Sequence, residues 1–127
     1  MNINQITNYN VQFKGINLAS GSKNTLRKVL SRADKVEFAD LYMAQRKNYH
    51  TEIDLFGNDG KITASIWEIE HNSCGERRQH FVAEYSPYFW QSSMSVIRKA
   101  CKRADKLEQE IASRPSVATF DEILGKN

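Results

Sequence analysis

Carboxylates near the middle of the chain are the first residues that could do chemistry. Asp40, Glu52 and Asp54 fall on two runs that read as neighbouring β-strands, and alternation along the strands directs all three to one face. Converging carboxylates can bind Mg²⁺ and so support a metal-dependent nuclease. This is the weakest of three hypotheses, because exposed carboxylates are more often simply hydrated. Asp54 with Glu68 is a poorer pair, since the expected register puts them on opposite faces.

Two further residues, His71 and Cys74, have the H-x-x-C spacing of half a zinc site. A structural zinc ion needs four ligands, and only His80, with the distant His50 or Cys101, remains to complete the set. Cys101 falls on the apolar stripe of a helix, where core packing is the simpler role. A Cys74–His71 nucleophile pair lacks a third group to orient it. We therefore expect no catalytic residue, no metal and no cofactor, which means that the protein is not an enzyme.

A basic phrase occurs twice in the sequence. Residues 27–37 read RKVLSRADKVE and residues 98–108 read RKACKRADKLE, with seven of eleven positions identical. We call these the first phrase and the second phrase. Each is predicted to lie on a helix, so that Lys28 and Arg32, like Lys99 and Arg103, are i, i+4 neighbours on one surface. Such basic ridges can neutralise the phosphates of a nucleic acid.

The candidate binding residues are the cations of both phrases, four cations expected at hairpin ends, and aromatic residues on an open sheet face. The cations are Arg27, Lys28, Arg32, Lys35, Arg46, Lys47, Arg77, Arg78, Arg98, Lys99, Lys102, Arg103 and Lys106, and the aromatic residues are Phe38, Tyr42, Phe56 and Trp67. Exposed aromatic rings can stack on bases or fill a partner's pocket. The alternative for the phrases is that they are ordinary solvated helix faces, which have the same composition.

An antiparallel meander over residues 36–85 is expected to position these groups. The segment GNDG at 57–60 predicts a hairpin that pairs Leu55 with Ile62 and Ile53 with Ala64, which gathers the apolar side chains on one face. A second turn at 46–48 would join a strand at 36–45 to this hairpin. The run 78–85 adds a fourth strand, whose core-facing residues are Phe81, Ala83 and Tyr85.

Two helices are expected to cover one face of this sheet. The first follows a cap at Ser22 or Asn24, and its apolar positions are Leu26, Val29, Leu30 and Ala33. The second begins with Ser86 as N-cap and Pro87 as first residue, spans about 27 residues and ends before Pro115. Trp90 would then be a core anchor between this helix and the sheet.

The fold class predicted from these elements is α+β, a four-stranded antiparallel meander with two helices packed on one face. Residues 9–16 alternate weakly and add an N-terminal strand. We expect one domain over 1–127, with an N-terminal strand and turn at 1–22, a core at 23–113 and a docking segment at 114–127. In this last segment Thr119 and Glu122 have capping-box spacing, and a short helix packing on its own domain is favoured over one for a partner groove.

The order of a meander and a long helix, with SPYFW at 86–90 where the helix begins, resembles the coactivator-type and Whirly-type binders of single-stranded nucleic acid over residues 36–113. The resemblance implies binding on the open sheet face. In those families that face carries basic and aromatic groups, whereas this sequence places Asp40, Glu52 and Asp54 there.

Composition sets the remaining expectations. Eighteen Lys and Arg against fifteen Asp and Glu give a net charge of +3, so a polyanion would have to be bound by local clustering of charge. The start MNINQITNYN lacks the basic and apolar regions of a signal peptide, no apolar run reaches membrane-spanning length, and two cysteines do not make a disulfide framework. We expect a cytoplasmic protein that does not contact membranes.

The leading functional hypothesis is a small, non-enzymatic accessory protein that binds DNA or RNA. The alternative is a protein-binding adaptor or inhibitor, for example one encoded by a phage or mobile element, that acts on a host protein or nucleoprotein complex. Trp67 could instead be covered by the N-terminal strand or by a second copy of the chain, and the second copy would make a homodimer.

Overall fold

The computed structural model describes residues 15–71, 76–115 and 117–125 of the chain. The elements in chain order are β1 (Ile16–Leu18), α1 (Ser22–Val29), α2 (Arg32–Gln45), β2 (Thr51–Asn58), β3 (Lys61–His71), β4 (Arg77–Tyr85), α3 (Ser93–Ala112) and α4 (Val117–Leu124). The strands form one sheet of order β1-β2-β3-β4. The α+β class and the four-stranded sheet are therefore confirmed, but β1 runs parallel to β2, so the sheet is mixed.

The predicted strand at 36–45 is wrong, because this segment forms all but the first turn of α2. Phe38, Leu41 and Tyr42 share one helical stripe and pack at the margin of the hydrophobic core. Gln45 continues the stripe, is only 2% exposed, and donates a hydrogen bond to the carbonyl of Cys101. Phe38 and Tyr42 thus lie on a helix and not on an open sheet face. The turn expected at 46–48 follows the end of that helix and does not join two strands.

β1 occupies the sheet edge at which the strand 36–45 was expected. Ile16 lies opposite Ile53, and the N–H of Ile53 donates to the carbonyl of Gly15 at 2.7 Å. Gly15 has φ +76°, and a Cβ there would collide with the backbone of Gln45, so only glycine fits between β1 and the end of α2. Residues 9–14 of the expected N-terminal strand lie outside the described residues.

The β2–β3 hairpin has the predicted apolar face but a different register. Its loop is the two-residue turn Asp59-Gly60, with φ +53° and +75°, as a type I′ turn requires. Leu55 therefore pairs with Ala64 rather than Ile62. The register is shifted by two residues, and a shift by an even number leaves every side chain on its predicted face.

The pairing of β3 with β4 contains a bulge next to Trp67. Ala83 and Tyr85 lie opposite Ile66 and Ala64, as the alternation predicts, but beyond the bulge Phe81 lies opposite Trp67. Since an extra residue reverses the alternation, Phe81 leaves the core face and is 57% exposed. Its assignment to the core was wrong.

The first phrase does not lie on one helix. Leu30 is extended, with ψ 133°, and ends α1, while the hydroxyl of Ser31 accepts from the N–H of Asp34 at 3.1 Å and caps α2. Lys28 and Arg32 consequently lie on different helices, so they are not neighbours on the surface of one helix as predicted. The predicted stripe holds for Leu26 and Leu30, which are buried, but Val29 and Ala33 are exposed.

α3 is the main helix that covers the sheet. Its N-cap is Ser92, whose hydroxyl accepts from the N–H of Ser95 at 3.1 Å, so the predicted start at Ser86 and Pro87 is six residues too early. Its buried stripe lies on β2 and β3 and consists of Met94, Val96, Ile97, Ala100, Cys101, Ala104 and Leu107. Cys101 is core, as predicted, and burial raises the pKa of its thiol to about 12.

The C-terminal helix α4 begins at Val117, ahead of the predicted cap at Thr119, and ends before Gly125, whose φ is +76°. Three of its apolar side chains are exposed. Phe120 is 57% exposed, Ile123 74% and Leu124 63%. The expectation that this segment docks on its own domain is therefore wrong for these side chains.

Candidate nucleic-acid interface

The acids of the first phrase are paired with an arginine of the second. The Arg98 guanidinium donates from Nε to Glu37 Oε2 at 2.7 Å and from Nη2 to Oε1 at 2.8 Å, and it lies 3.9 Å from Asp34. The hydrogen bond from Arg98 is the main reason that the pKa of Glu37 is below its ordinary value. Arg98 is thus already bound to carboxylates of its own chain, and we remove it from the set of free cations.

The acids of the second phrase are occupied by the connection between α2 and β2. Asp105 accepts from the side chains of Gln45 at 2.9 Å and Asn48 at 3.0 Å. Glu108 accepts from the backbone N–H groups of Tyr49 and His50, and from the hydroxyl of Thr51 at 3.1 Å. Both carboxylates therefore fix the chain where it enters β2. Within the described ranges 15–71, 76–115 and 117–125, neither forms an ion pair with a cation of α3.

Four cations of α3 have no carboxylate partner among the described residues, and of these Lys99, Lys102 and Lys106 are exposed while Arg103 is half-buried. Lys99, Lys102, Arg103 and Lys106 stand at i, i+3, i+4 and i+7, which places them on one side of the helix. We call them the basic row, and it is about 10 Å long at a rise of 1.5 Å per residue. None of the four forms a salt bridge with another described residue. The Lys99 ammonium lies 4.6 Å from the centroid of the Tyr85 ring.

Three exposed aromatic residues precede α3. Tyr88, Phe89 and Trp90, which we call the aromatic loop, are 62%, 85% and 67% exposed. The rings of Tyr88 and Trp90 are stacked, with centroids 4.9 Å apart and an angle of 8° between planes. Gln91 shapes the loop, because its side-chain oxygen accepts from the N–H of Tyr88 and its own N–H donates to the Tyr88 carbonyl, both at 2.9 Å.

The prediction that Trp90 is a core anchor is wrong, and the aromatic loop was missed as a candidate site. A signal for it exists in the sequence, since three consecutive aromatic residues stand directly after a proline and directly before QSS, a second possible helix start. Because the helix begins only after Ser92, these three aromatic residues lie outside it and do not belong to its buried stripe.

A shallow cavity of about 370 Å³ lies between the aromatic loop and the basic row. Its lining includes Glu84, Tyr85, Tyr88, Gln91, Val96 and Lys99. The size is within the range of small-molecule sites in proteins. The cavity therefore joins an aromatic wall, a carboxylate and an ammonium group in one place.

The first phrase also presents cations, but on separate elements. Arg27 and Lys28 are exposed in the last turn of α1, and Arg32 and Lys35 are exposed in the first turn of α2. The two phrases together contain nine cations and four acids, so the rest of the chain carries a net negative charge. The positive charge is thus concentrated in the two phrases.

The cations expected at hairpin ends do not join the basic row as a group. Arg46 and Lys47 are exposed after the end of α2, and Arg78 is exposed on β4. Arg77 forms an ion pair with Glu52, which also accepts from Gln79 at 3.1 Å. The Arg77 guanidinium is therefore already paired with a carboxylate of the sheet.

The face of the sheet opposite the helices, which we call the outer face, differs from the predicted open face. Phe56 and Trp67 are half-buried there, and the rings of Trp67 and Phe81 meet edge to face at 5.6 Å. Glu52 is 8% exposed, and burial raises the pKa of its carboxyl despite the nearby Arg77. The indole N–H of Trp67 is buried and has no hydrogen-bond acceptor among the described residues.

The carboxylates considered for a nuclease do not converge as predicted. Asp40 is exposed on α2, Glu52 is bound to Arg77, and Asp54 accepts from the side chain of Asn17 at 3.2 Å. Within the described ranges 15–71, 76–115 and 117–125, no group of three His, Cys, Asp or Glu residues is placed to hold a metal ion. Cys74 of the proposed H-x-x-C pair lies outside them.

Comparison with known proteins adds no relative: no family model, no curated protein and no solved structure matches this chain. The resemblance to coactivator-type and Whirly-type folds also loses its basis, since α2 replaces the first strand of the expected meander. Among the described residues, no helix has the length and apolar character needed to cross a lipid bilayer.

Proposed function

We propose that the protein binds single-stranded nucleic acid, with phosphates along the basic row and one or two bases on the aromatic loop. One observation carries the proposal: four uncompensated cations on one side of α3 run toward three exposed aromatic rings. A positively charged track beside aromatic stacking platforms is the usual arrangement of sequence-tolerant single-strand binders. The non-enzymatic accessory role expected from the sequence is retained within this proposal.

The internal use of the acids supports the proposal. Asp105 and Glu108 bind the α2–β2 connection, and Glu37 and Asp34 face Arg98. A phosphate approaching the basic row would therefore meet cations without having to displace a paired carboxylate. Because desolvating an existing ion pair costs free energy, unpaired cations are the better phosphate ligands.

The aromatic loop favours an unpaired strand over a duplex. Stacking on an aromatic ring needs the face of a base, which is hidden within a double helix, and contributes about 1–3 kcal/mol per base. The cavity between Tyr88 and Lys99 offers room beside the stacked rings for part of a nucleotide. We expect a short site of a few nucleotides, since the basic row is only about 10 Å long.

The decisive experiment is a fluorescence anisotropy titration with labelled single-stranded and double-stranded oligonucleotides at 50 and 200 mM salt. Four phosphate contacts predict a slope of log K against log salt of about −2.8 for a single strand, which is about a 50-fold loss between these concentrations. Lys102→Ala/Arg103→Ala/Lys106→Ala should reduce the slope to about −0.7. Arg32→Ala/Lys35→Ala is the matched control and should leave most of the slope.

Stacking is tested separately with Trp90→Ala, which should weaken single-strand binding by about tenfold or more, since it removes a stacking platform. Trp67→Phe is the control, because Trp67 lies on the outer face away from the basic row. No binding at low salt, or binding that is indifferent to the triple substitution, would exclude the proposed function.

A second candidate function is docking of a protein partner on the aromatic loop. The observation in its favour is the 85% exposure of Phe89 beside Tyr88 and Trp90, because Tyr and Trp are enriched in interface hot spots. A stoichiometric protein partner that survives nuclease treatment, and is lost with Trp90→Ala while oligonucleotides do not bind, would favour it.

A further inference from the structure

Two exposed apolar patches stand at opposite ends of α3. The aromatic loop precedes the helix, and the apolar edge of α4, made of Phe120, Ile123 and Leu124, follows it. Clusters of exposed large apolar side chains are unusual on a monomer and commonly mark contact surfaces. Each patch has three such side chains, so the two are similar in size.

The two patches cannot cover each other within one chain. α3 has 20 residues and is about 30 Å long, whereas α4 has eight and is about 12 Å long. α4 begins five residues after α3 ends, so α3 separates it from the aromatic loop. Among the described residues, the two patches can therefore meet only if they belong to two copies of the chain.

The charges beside the patches are complementary. Lys99 is exposed near the start of α3 and lines the cavity that also contains Tyr88 of the aromatic loop and Glu84, while Glu122 is exposed on α4 within its apolar edge. Opposite charges at the rim of an apolar contact favour one pairing over others. The carboxylate of Glu122 and the ammonium group of Lys99 would therefore attract each other if α4 of one copy approached the aromatic loop of another.

We propose that two copies associate with their α3 helices antiparallel, so that α4 of each docks on the aromatic loop of the other. The antiparallel arrangement brings both pairs of patches together at once, because the patches lie at the two ends of the same helix. Both contacts are then related by one twofold axis, and the assembly closes as a dimer. Docking covers the aromatic loop, so dimer formation and base stacking exclude each other.

The test is sedimentation velocity of the full chain from about 1 to 200 μM, with Ile123→Asp on α4 and Phe89→Ser in the aromatic loop. Both side chains are exposed, so the fold should tolerate the changes, and circular dichroism checks this. Wild type should show a monomer–dimer equilibrium, and each variant should weaken dimerisation at least tenfold. Val36→Asp is the matched control, since Val36 is 62% exposed on α2 and should have no effect.

A mixture of the two variants gives the sharpest result. A mixed dimer of Ile123→Asp and Phe89→Ser retains one intact contact, formed by the unchanged α4 of one chain and the unchanged loop of the other. The mixture should therefore dimerise better than either variant alone. A wild type that stays monomeric throughout, a dimer indifferent to both changes, or a mixture that shows no recovery would each overturn the proposal.

This inference and the proposed function fail separately. Oligonucleotide binding by Ile123→Asp should equal or exceed that of wild type, because the variant frees the loop without changing the basic row. A dimer without oligonucleotide binding would leave the self-association intact and exclude only the nucleic-acid function.

Discussion

The two phrases share seven of eleven residues and have different structures. The second phrase is continuous helix within α3, whereas the first is interrupted at Leu30 and Ser31 and divided between α1 and α2. The residue equivalent to Ser31 is Lys102, which continues the helix. A serine can cap a new helix by accepting a backbone hydrogen bond, and a lysine cannot.

The identical acids also have different roles. Glu37 of the first phrase binds Arg98, whereas the equivalent Glu108 binds backbone N–H groups where the chain enters β2. The availability of the cations follows from this difference. Arg98 is paired with carboxylates of the first phrase, whereas the four cations of the basic row have no such partner among the described residues. Two similar sequences therefore do not form two similar basic surfaces. The positions at which the phrases differ, together with tertiary contacts, determine the structure of each.

The largest expected contrast between the phrases is at Leu107 and its equivalent, Val36. Leu107 is 3% exposed in the core and Val36 is 62% exposed. Leu107→Ala should lower the free energy of unfolding by about 3 kcal/mol, and Val36→Ala should change it by less than about 0.5 kcal/mol. Urea unfolding of both variants measures the difference, and equal effects would contradict the placement of α3.

The next contrast is between Glu108 and Glu37. Glu108→Ala removes the acceptor of two backbone N–H groups and the Thr51 hydroxyl, and should cost about 2 kcal/mol in the free energy of unfolding. Glu37→Ala removes an exposed ion pair and should cost clearly less. Reversal of this order in urea unfolding would mean that the α2–β2 connection does not depend on Glu108.

A smaller effect is expected where the first phrase is interrupted. Ser31→Ala removes the hydroxyl that caps α2 and should cost about 1 kcal/mol. The equivalent change in the second phrase, Lys102→Ala, should be neutral or slightly stabilising, because alanine is the best helix former. Thermal unfolding of the two variants side by side would reveal no difference if Ser31 did not act as a cap.

The smallest effect concerns the pH dependence of the contact between the phrases. The hydrogen bond from Arg98 lowers the pKa of Glu37 from its ordinary value of 4.5. The pair therefore stabilises the fold above that value, and its contribution is lost as the pH falls through the lowered pKa. Arg98→Met should be less stable than wild type at pH 7, and this difference should shrink toward pH 3. A difference that does not depend on pH would argue against the ion pair.

Periodicity and turn chemistry predicted the parts of the fold that depend on local signals. The inner faces of β2 and β3 and the position of Cys101 on a buried helix stripe were both predicted. The Asp59-Gly60 dipeptide also indicates the correct hairpin register, because its residues suit a two-residue turn. The prediction instead closed a four-residue loop over 57–60, and its register therefore differs from the observed one by two residues.

The segment 36–45 could not be assigned from its apolar pattern alone. Ala39, Leu41 and Met43 alternate as in a strand, while Phe38, Leu41 and Tyr42 have helical spacing. Tertiary contacts decide in favour of the helix, because Gln45 is buried and hydrogen-bonded to α3. A polar residue that is buried for its hydrogen bonds gives no signal in a hydrophobic pattern.

The candidate site was predicted in part. The basic row was identified from the second phrase, but the roles of the tryptophans were exchanged: Trp90 was assigned to the core and Trp67 to an exposed site. Trp90 is 67% exposed, and Trp67 is half-buried against Phe81. The error follows from the helix start, because two serine-containing segments compete as N-cap and only the packed structure selects Ser92.

The burial of Cys101 gives the molecule an internal chemical reporter. A thiol with a pKa of about 12 is almost entirely protonated at neutral pH, and only the thiolate attacks alkylating reagents. In a Cys74→Ser variant, Cys101 is the one remaining cysteine. An alkylating reagent should modify it only after α3 has separated from the sheet. The rate of that reaction, followed by mass spectrometry with and without an oligonucleotide, would measure how often the helix opens in the native protein.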